Sequence, residues 1–259
     1  MPKKEYAQHF LKDKYYIKKI IGALGAKEGE RILEIGPGRG SLTYPMLKEG
    51  FFVIAIEKDR ELESYLKGEN LKLYFEDATI FPSDLEEFLK ENRIKYVISN
   101  LPYNVGTRIY LRYLPYLKNL ERMVLMFQEE VGEKIMAGAG SSSYGALSVI
   151  TQTCSMVEKI CRVPPSSFYP KPEVYSVVLS FKGKEVSPAE FDPFFSFLNK
   201  CFKHPRKTLY NNLLEFFSKN IIKSMFENLE LDFKIRPHQI APEGFSGIYN
   251  FFKGEKCLF

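Results

Sequence analysis

From Arg31 onward the chain alternates short apolar runs with amphipathic stretches. RILEI (31–35), FVIAI (52–56), LKLYF (71–75), KYVIS (95–99) and MVLMF (123–127) read as strands. They recur roughly every 20 to 30 residues, the pitch of a strand-plus-helix unit. Several are apolar on both faces, as a parallel sheet covered by helices on either side requires. SLTYPMLKEG and PSDLEEFLKENR carry helical periodicity, and the second opens on a Pro-Ser-Asp cap signal. Repeated right-handed crossovers of this kind predict a doubly wound, Rossmann-like α/β sheet.

Two further runs, MVEKICRV (156–163) and VYSVVLSF (174–181), flank PPSSFYPKPE, whose prolines make it a stiff loop rather than a helix. An antiparallel pair closing the sheet is expected there. Beyond Phe181 only helical period remains. The expected organisation is therefore a Rossmann-like domain over residues 1–183 and a small all-helical C-terminal domain over 184–259.

Composition narrows the class. With 45% hydrophobic and 27% charged residues the chain is neither disordered nor fibrous. No apolar run approaches the roughly 20 residues of a membrane span, and the N-terminus lacks the apolar core of a secretion signal. A cytoplasmic protein with no membrane partner is expected, and a monomer. Cys154, Cys161, Cys201 and Cys257 form no CxxC pair, and His9, His204 and His238 lie far apart. No metal site or disulfide framework is expected. The net charge of +5 permits an anionic partner without demanding one.

The first strand runs straight into Glu34-Ile35-Gly36-Pro37-Gly38-Arg39-Gly40. Glycines at 36, 38 and 40 let the backbone turn tightly and approach a ligand closely. The spacing is G-x-G-x-G, not the G-x-G-x-x-G of a dinucleotide site, and an acid stands immediately upstream. Carboxylates there suit a ligand bearing positive charge, such as the sulfonium and ammonium of S-adenosylmethionine. Glu57, ending the second strand, is placed to accept ribose hydroxyls. Asp77, after the third, is placed to accept from an adenine amine. Any one such acid is commonly just a solvated loop residue; three on successive strand ends beside a glycine loop point to the cofactor.

The fourth strand ends in Ser99-Asn100-Leu101-Pro102-Tyr103. Asparagine and proline are ordinary turn formers, but this turn falls at the carboxyl end of the sheet, where open α/β folds bind ligands. An adenine N6 lone pair is delocalised into the ring. Two acceptors that hold its hydrogens favour pyramidal geometry and aim the lone pair at a methyl group. The Asn100 side-chain oxygen and the Pro102 carbonyl are such acceptors. Tyr103 offers a stacking face worth about 1–3 kcal/mol per base, and Phe168 in the proline-rich loop is expected to be the second wall. A sulfonium is already a good leaving group, so catalysis by positioning and electrostatics is expected.

These residues resemble the KsgA-type family of ribosomal RNA adenine N6,N6-dimethyltransferases over nearly the whole chain. QHFL (8–11) resembles its N-terminal cofactor motif, EIGPGRG (34–40) its glycine loop and NLPY (100–103) its catalytic motif. YGALSVITQ (144–152), PPSSFYPKPEVYS (164–176) and HPRKTLYNNL (204–213) match further stretches of the same group. The resemblance implies cofactor contacts from His9, Leu11, Gly36, Gly38, Glu57, Asp77 and Asn100. His9 departs from the asparagine of many members. It also implies dimethylation of two adjacent adenosines in the 3′-terminal hairpin loop of small-subunit rRNA, with S-adenosylhomocysteine as by-product. The partner is then small-subunit rRNA or the assembling small subunit. Candidate phosphate contacts are Lys3, Lys4, Lys12, Lys14, Lys18 and Lys19, then Arg108 and Arg112, then Lys203, Arg206 and Lys207. Two other readings stand beside this one: a large-subunit rRNA adenine dimethyltransferase of the macrolide-resistance type, and a ribosome-assembly factor without catalysis.

Overall fold

The computed structural model describes residues 9–185 and 188–255. Lys3, Lys4, Gln8 and Cys257 therefore lie outside the described residues. The chain divides into two compact units, Met1–Gly132 with Ser155–Lys184, and Glu133–Cys154 with Glu185–Phe259. One division falls beside the expected boundary. The other differs from expectation, because residues 133–154 group with the second unit rather than the first. The reason is packing: the helix Ala146–Cys154 lies against helices Pro188–Cys201 and Pro242–Gly254 of that unit.

In the first unit, β1 is the short strand Phe10–Leu11, followed by α1 (Lys14–Gly22), β2 (Arg31–Ile35), α2 (Thr43–Lys48), β3 (Phe52–Glu57) and β4 (Leu71–Phe75). Then come α3 (Leu85–Glu91), β5 (Tyr96–Asn100), α4 (Gly106–Tyr113), β6 (Arg122–Gln128) and α5 (Glu129–Met136), whose last turns belong to the second unit. After α6 (Ala146–Cys154) the chain returns as β7 (Ser155–Val163), β8 (Phe168–Tyr169) and β9 (Ser176–Gly183). Seven strands form one sheet in the order β4-β3-β2-β5-β6-β9-β7. The first five pair in parallel and β9 runs antiparallel to both β6 and β7, as the late apolar runs predict.

The doubly apolar runs are buried on both faces: Ile32, Leu33, Val97, Ile98, Met123 and Val124 are at most 0% exposed. The α3 cap expected from the Pro-Ser-Asp signal forms through Asp84, whose side chain accepts from Glu87 N at 2.9 Å. Because the chain leaves β2 toward β3 on one side and later returns to β5 on the other, the carboxyl ends of β2 and β5 splay apart. That is the crevice where open α/β sheets take ligands.

A pairing too short for any periodicity to reveal is that of β1 with β8. Phe10 lies opposite Tyr169 and Leu11 opposite Phe168 in an antiparallel ladder, and Lys12 N extends it by donating to Ser167 O at 2.9 Å. This turns Phe168 inward. At 2% exposure it packs in the core with Leu11, Ile20 and Val163, so it is no wall of a nucleobase site and the expectation for it is corrected.

The second unit is helical beyond α6: α7 (Pro188–Cys201), α8 (Leu209–Leu213), α9 (Lys219–Asn228) and α10 (Pro242–Gly254). Its core is aromatic, with Phe197 against Tyr249 and Phe252 at 5.6 and 5.8 Å, and Phe217 stacked on Phe252 at 4.2 Å between ring centroids. Fully buried Asn212 closes the turn before α8, accepting from His204 N at 2.7 Å and donating to the carbonyls of His204 and Thr208.

Replacing Phe168 with alanine leaves the backbone pairing to Leu11 but empties its place in the core. The expected loss is about 3–5 kcal/mol of stability, read as a lower urea midpoint at unchanged slope.

Candidate functional site

The glycine loop turns at the end of β2 with all three glycines left-handed: φ is +66° at Gly36, +58° at Gly38 and +82° at Gly40. A side chain at 38 would be strained and would also strike the Phe10 ring, 2.8 Å from where its Cβ would stand. Phe10 therefore lies directly on the loop. The Arg39 guanidinium sits between the Phe10 and Tyr65 rings, 5.1 and 5.0 Å from their centroids. β1 is thus held across the carboxyl end of the sheet from both sides.

Beneath it lies a cavity of about 290 Å³. The cofactor candidates His9, Leu11, Gly36, Gly38, Glu57 and Asp77 all line it, as do Asn100, Pro102 and Tyr103; Phe168 does not. Strand-end topology was the signal that found them. Reading by strand ends missed Glu34 as more than an upstream acid, and Ser41, Thr79 and Asn104 altogether, since short polar residues in loops carry no pattern.

The three acids have different surroundings. Glu34 is 1% exposed, and burial pushes its carboxyl up to about 8, against the opposing hydrogen bond from Thr43 Oγ1 at 2.6 Å and with a further push from Glu57. Glu57 is raised by burial, offset by backbone donors: Asp59 N to Oε1 at 2.9 Å and Gly38 N to Oε2 at 3.0 Å. Each Glu57 oxygen keeps a lone pair toward the cavity side of the loop it braces. Burial also raises Asp77, but Lys58 Nζ at 2.9 Å and the Thr79 hydroxyl and amide outweigh it, leaving the carboxyl at about 2. Asp77 is a permanent carboxylate whose first task is to close its own loop.

At the end of β5 the Asn100 side-chain nitrogen donates to the His9 carbonyl at 2.8 Å. A carbonyl only accepts, so this bond fixes which end of the amide is which and leaves Oδ1 as an acceptor with no hydrogen bond from the described residues. The Pro102 carbonyl accepts from Val105 N at 3.2 Å and keeps its second lone pair. Tyr103 is half-buried, its hydroxyl 2.6 Å from Ser176 Oγ and its ring 5.3 Å from that of His9. Two acceptors and an aromatic face thus share the lining with the glycine loop.

A family model described as ribosomal RNA adenine dimethylase matches residues 2–253. The chain belongs to that family. Dimethylation of adenine in ribosomal RNA, the family's activity, is accordingly the activity of this enzyme. Among curated relatives, the ribosomal RNA small subunit methyltransferase A of Mycoplasma mobile is 37% identical over 92% of this chain and 93% of its own. The protein of the same name from Legionella pneumophila (strain Lens) is 37% identical over 93% of both. Among solved structures, a dimethyladenosine transferase from Plasmodium falciparum superposes with a TM-score of 0.79 at 28% identity, covering 96% of this chain and 98% of that one. The 23S rRNA methyltransferase ErmE shares the fold, with a TM-score of 0.66 at 19% identity over 94% of this chain and 99% of its own.

The basic candidates sort by their partners. Arg112 is committed to structure, donating to the carbonyls of Thr79 and Pro82. Arg108, one turn earlier on α4, is exposed and lines the cavity. Lys12, Lys14 and Lys18 are named by no further contact, while Lys19 lies over the Tyr15 ring at 5.9 Å. In the second unit Lys203, His204 and Lys207 converge on Glu215, at 2.7, 2.7 and 3.5 Å, while Arg206 is exposed on the Asn212-held turn.

Glu34 makes stability depend on pH. Folded, it titrates at about 8 rather than the usual 4.5, so the native state holds an extra proton between those values. Its contribution is complete below pH 4.5 and is lost as pH rises through about 8. Glu34→Gln, neutral throughout and still able to accept from Thr43, is expected to lose this slope in thermal unfolding measured across that window.

Proposed function

We propose that this enzyme transfers methyl groups from S-adenosylmethionine to N6 of two adjacent adenosines in the 3′-terminal hairpin loop of small-subunit rRNA. The observation that carries the reading is the Asn100 amide. With its nitrogen held by the His9 carbonyl, its oxygen is the acceptor offered to the cavity.

The residues present fit the methyl donor. Glu34 and Glu57 are buried carboxyls beside left-handed glycines, and neither has a cationic partner among its hydrogen bonds. A cationic nucleoside meets that electrostatic demand, and its positive charge favours the ionised form of Glu34. Gly36 and Gly38 let the backbone come close, Glu57 is placed for a ribose, and Asp77 for an adenine amine. Bound there, S-adenosylmethionine supplies an electrophilic methyl on sulfur.

The rest is positioning. Asn100 Oδ1 and the free lone pair of Pro102 O accept the two N6 hydrogens of the acceptor adenine. That draws the nitrogen out of conjugation and directs its lone pair. Tyr103 stacks the base, which has to be splayed out of its RNA context to reach the cavity. Phosphate contacts fall to Arg108 and Arg206, the exposed guanidiniums that keep their forks available. Relatives carrying the small-subunit name, aligned along nearly the whole chain, support the small subunit over the large as target.

Two experiments test this. Mass mapping of small- and large-subunit rRNA, each incubated with the protein and labelled S-adenosylmethionine, is expected to place two dimethyladenosines side by side near the small-subunit 3′ end; label confined to the large-subunit RNA refutes the target. Asn100→Ala is expected to lower kcat about a hundredfold or more while calorimetric affinity for the methyl donor stays within a few-fold. Near wild-type turnover removes Asn100 from the mechanism.

A further inference from the structure

His9 stands where two openings meet. It lines the glycine-loop cavity and also a more open groove of about 560 Å³, shared with Tyr103 and Asn104 and walled on the far side by Gln128, Lys171 and Glu173. Resemblance assigns this position to the methyl donor, but the contacts of the imidazole run the other way. Nδ1 lies 2.7 Å from the Pro170 carbonyl, and since that oxygen only accepts, Nδ1 carries a proton and donates. Its ring packs against Tyr103 at 5.3 Å and 31°.

Tyr103 needs such a neighbour. Its ring is attached at Cβ and tethered at the opposite end, where the hydroxyl meets Ser176 Oγ at 2.6 Å. A phenol held at those two points still rotates about the line joining them. A contact on the ring face removes that freedom, and a base stacks well only on a ring whose plane is set. The backbone carbonyl of the same residue meanwhile orients the Asn100 amide. One residue therefore braces both the stacking face and the hydrogen-bond acceptor.

We propose that His9 is a positioning residue for the acceptor base: its imidazole, anchored on Pro170, sets the plane of Tyr103, and it does not serve to grip the methyl donor. The proposal rests on the adenine-methylation reading above and adds to it a division of labour. Substitution of the side chain should disturb RNA use and leave donor use alone, because the main-chain carbonyl to Asn100 survives any substitution.

The test is steady-state methyl transfer to small-subunit rRNA by the full chain, with donor and RNA varied separately, for wild type, His9→Ala, His9→Phe and His9→Asn. Donor affinity is measured in parallel by calorimetry. His9→Ala is expected to raise KM for RNA about tenfold and to lower kcat, with KM and affinity for the donor within twofold. His9→Phe restores a ring face without the Nδ1 donor and is expected to recover most of the RNA effect. His9→Asn offers a short donor without a ring and is expected to resemble His9→Ala. A rise in donor KM with RNA KM unchanged overturns the proposal, as does loss of donor binding in His9→Phe, rescue by asparagine instead of phenylalanine, or no change in His9→Ala. Wild-type protein that binds the donor but methylates no RNA is a separate failure, of the functional reading itself.

Discussion

The site depends on a two-residue ladder. Without the pairing of Phe10–Leu11 to Phe168–Tyr169, residues 9–12 have no reason to lie across the carboxyl ends of β2, β3 and β5. With it, Phe10 comes down on Gly38, Leu11 is buried, and the His9 carbonyl reaches the Asn100 amide. Two backbone pairs are a weak restraint in isolation. They hold because Phe168 and Leu11 enter the core of the first unit together, so the ladder is stabilised by burial rather than by its own hydrogen bonds. Aromatic packing of Arg39 between Phe10 and Tyr65 closes the other side.

Covering the crevice this way has an electrostatic consequence. Glu34 and Glu57 are taken out of water, and no basic side chain is supplied to pair with either; hydroxyl and amide donors meet them instead. Buried carboxyls left in that condition favour their neutral form. Asp77, which has Lys58 and stays ionised, marks the contrast. The first two acids are thus arranged so that a positively charged ligand is the missing partner. The same burial makes Glu34 a liability to stability above neutral pH when the cavity holds nothing cationic, a cost of the kind functional sites carry.

Much of this could be read from the chain before any coordinates. Runs such as FVIAI and MVLMF are apolar at every position because both faces of their strands are covered, and that single fact places five strands in parallel. Once strand ends are known, Gly36, Glu57, Asp77 and Asn100 follow, since open sheets present ligands there. What escaped has physical causes. β1 and β8 have two residues each, below the length at which a period exists. Phe168 sits among prolines in a loop and so resembles an exposed aromatic, but the register of that short ladder points it inward. α6 reads as a generic apolar helix, and nothing in ALSVITQTC says which unit its buried face will join.

Charge shows the same limit from another direction. A count of lysines and arginines treats all basic residues alike, whereas the fold divides them by what they already touch. Arg112 holds the loop after β4 through two carbonyls and has little left to offer an RNA phosphate, although Arg108 lies one helical turn away on the same α4. Lys203, His204 and Lys207 share Glu215, whose carboxyl these neighbours hold down at about 2 despite the small opposing effect of burial. Those exposed pairs add little to stability, but they fix where the cations stand and cancel part of their field. An incoming phosphate must compete with Glu215 for them, whereas at Arg206 it meets an exposed guanidinium on a turn that buried Asn212 holds in place. In a chain whose net charge is only +5, which cations remain unneutralised governs RNA contact more than how many there are.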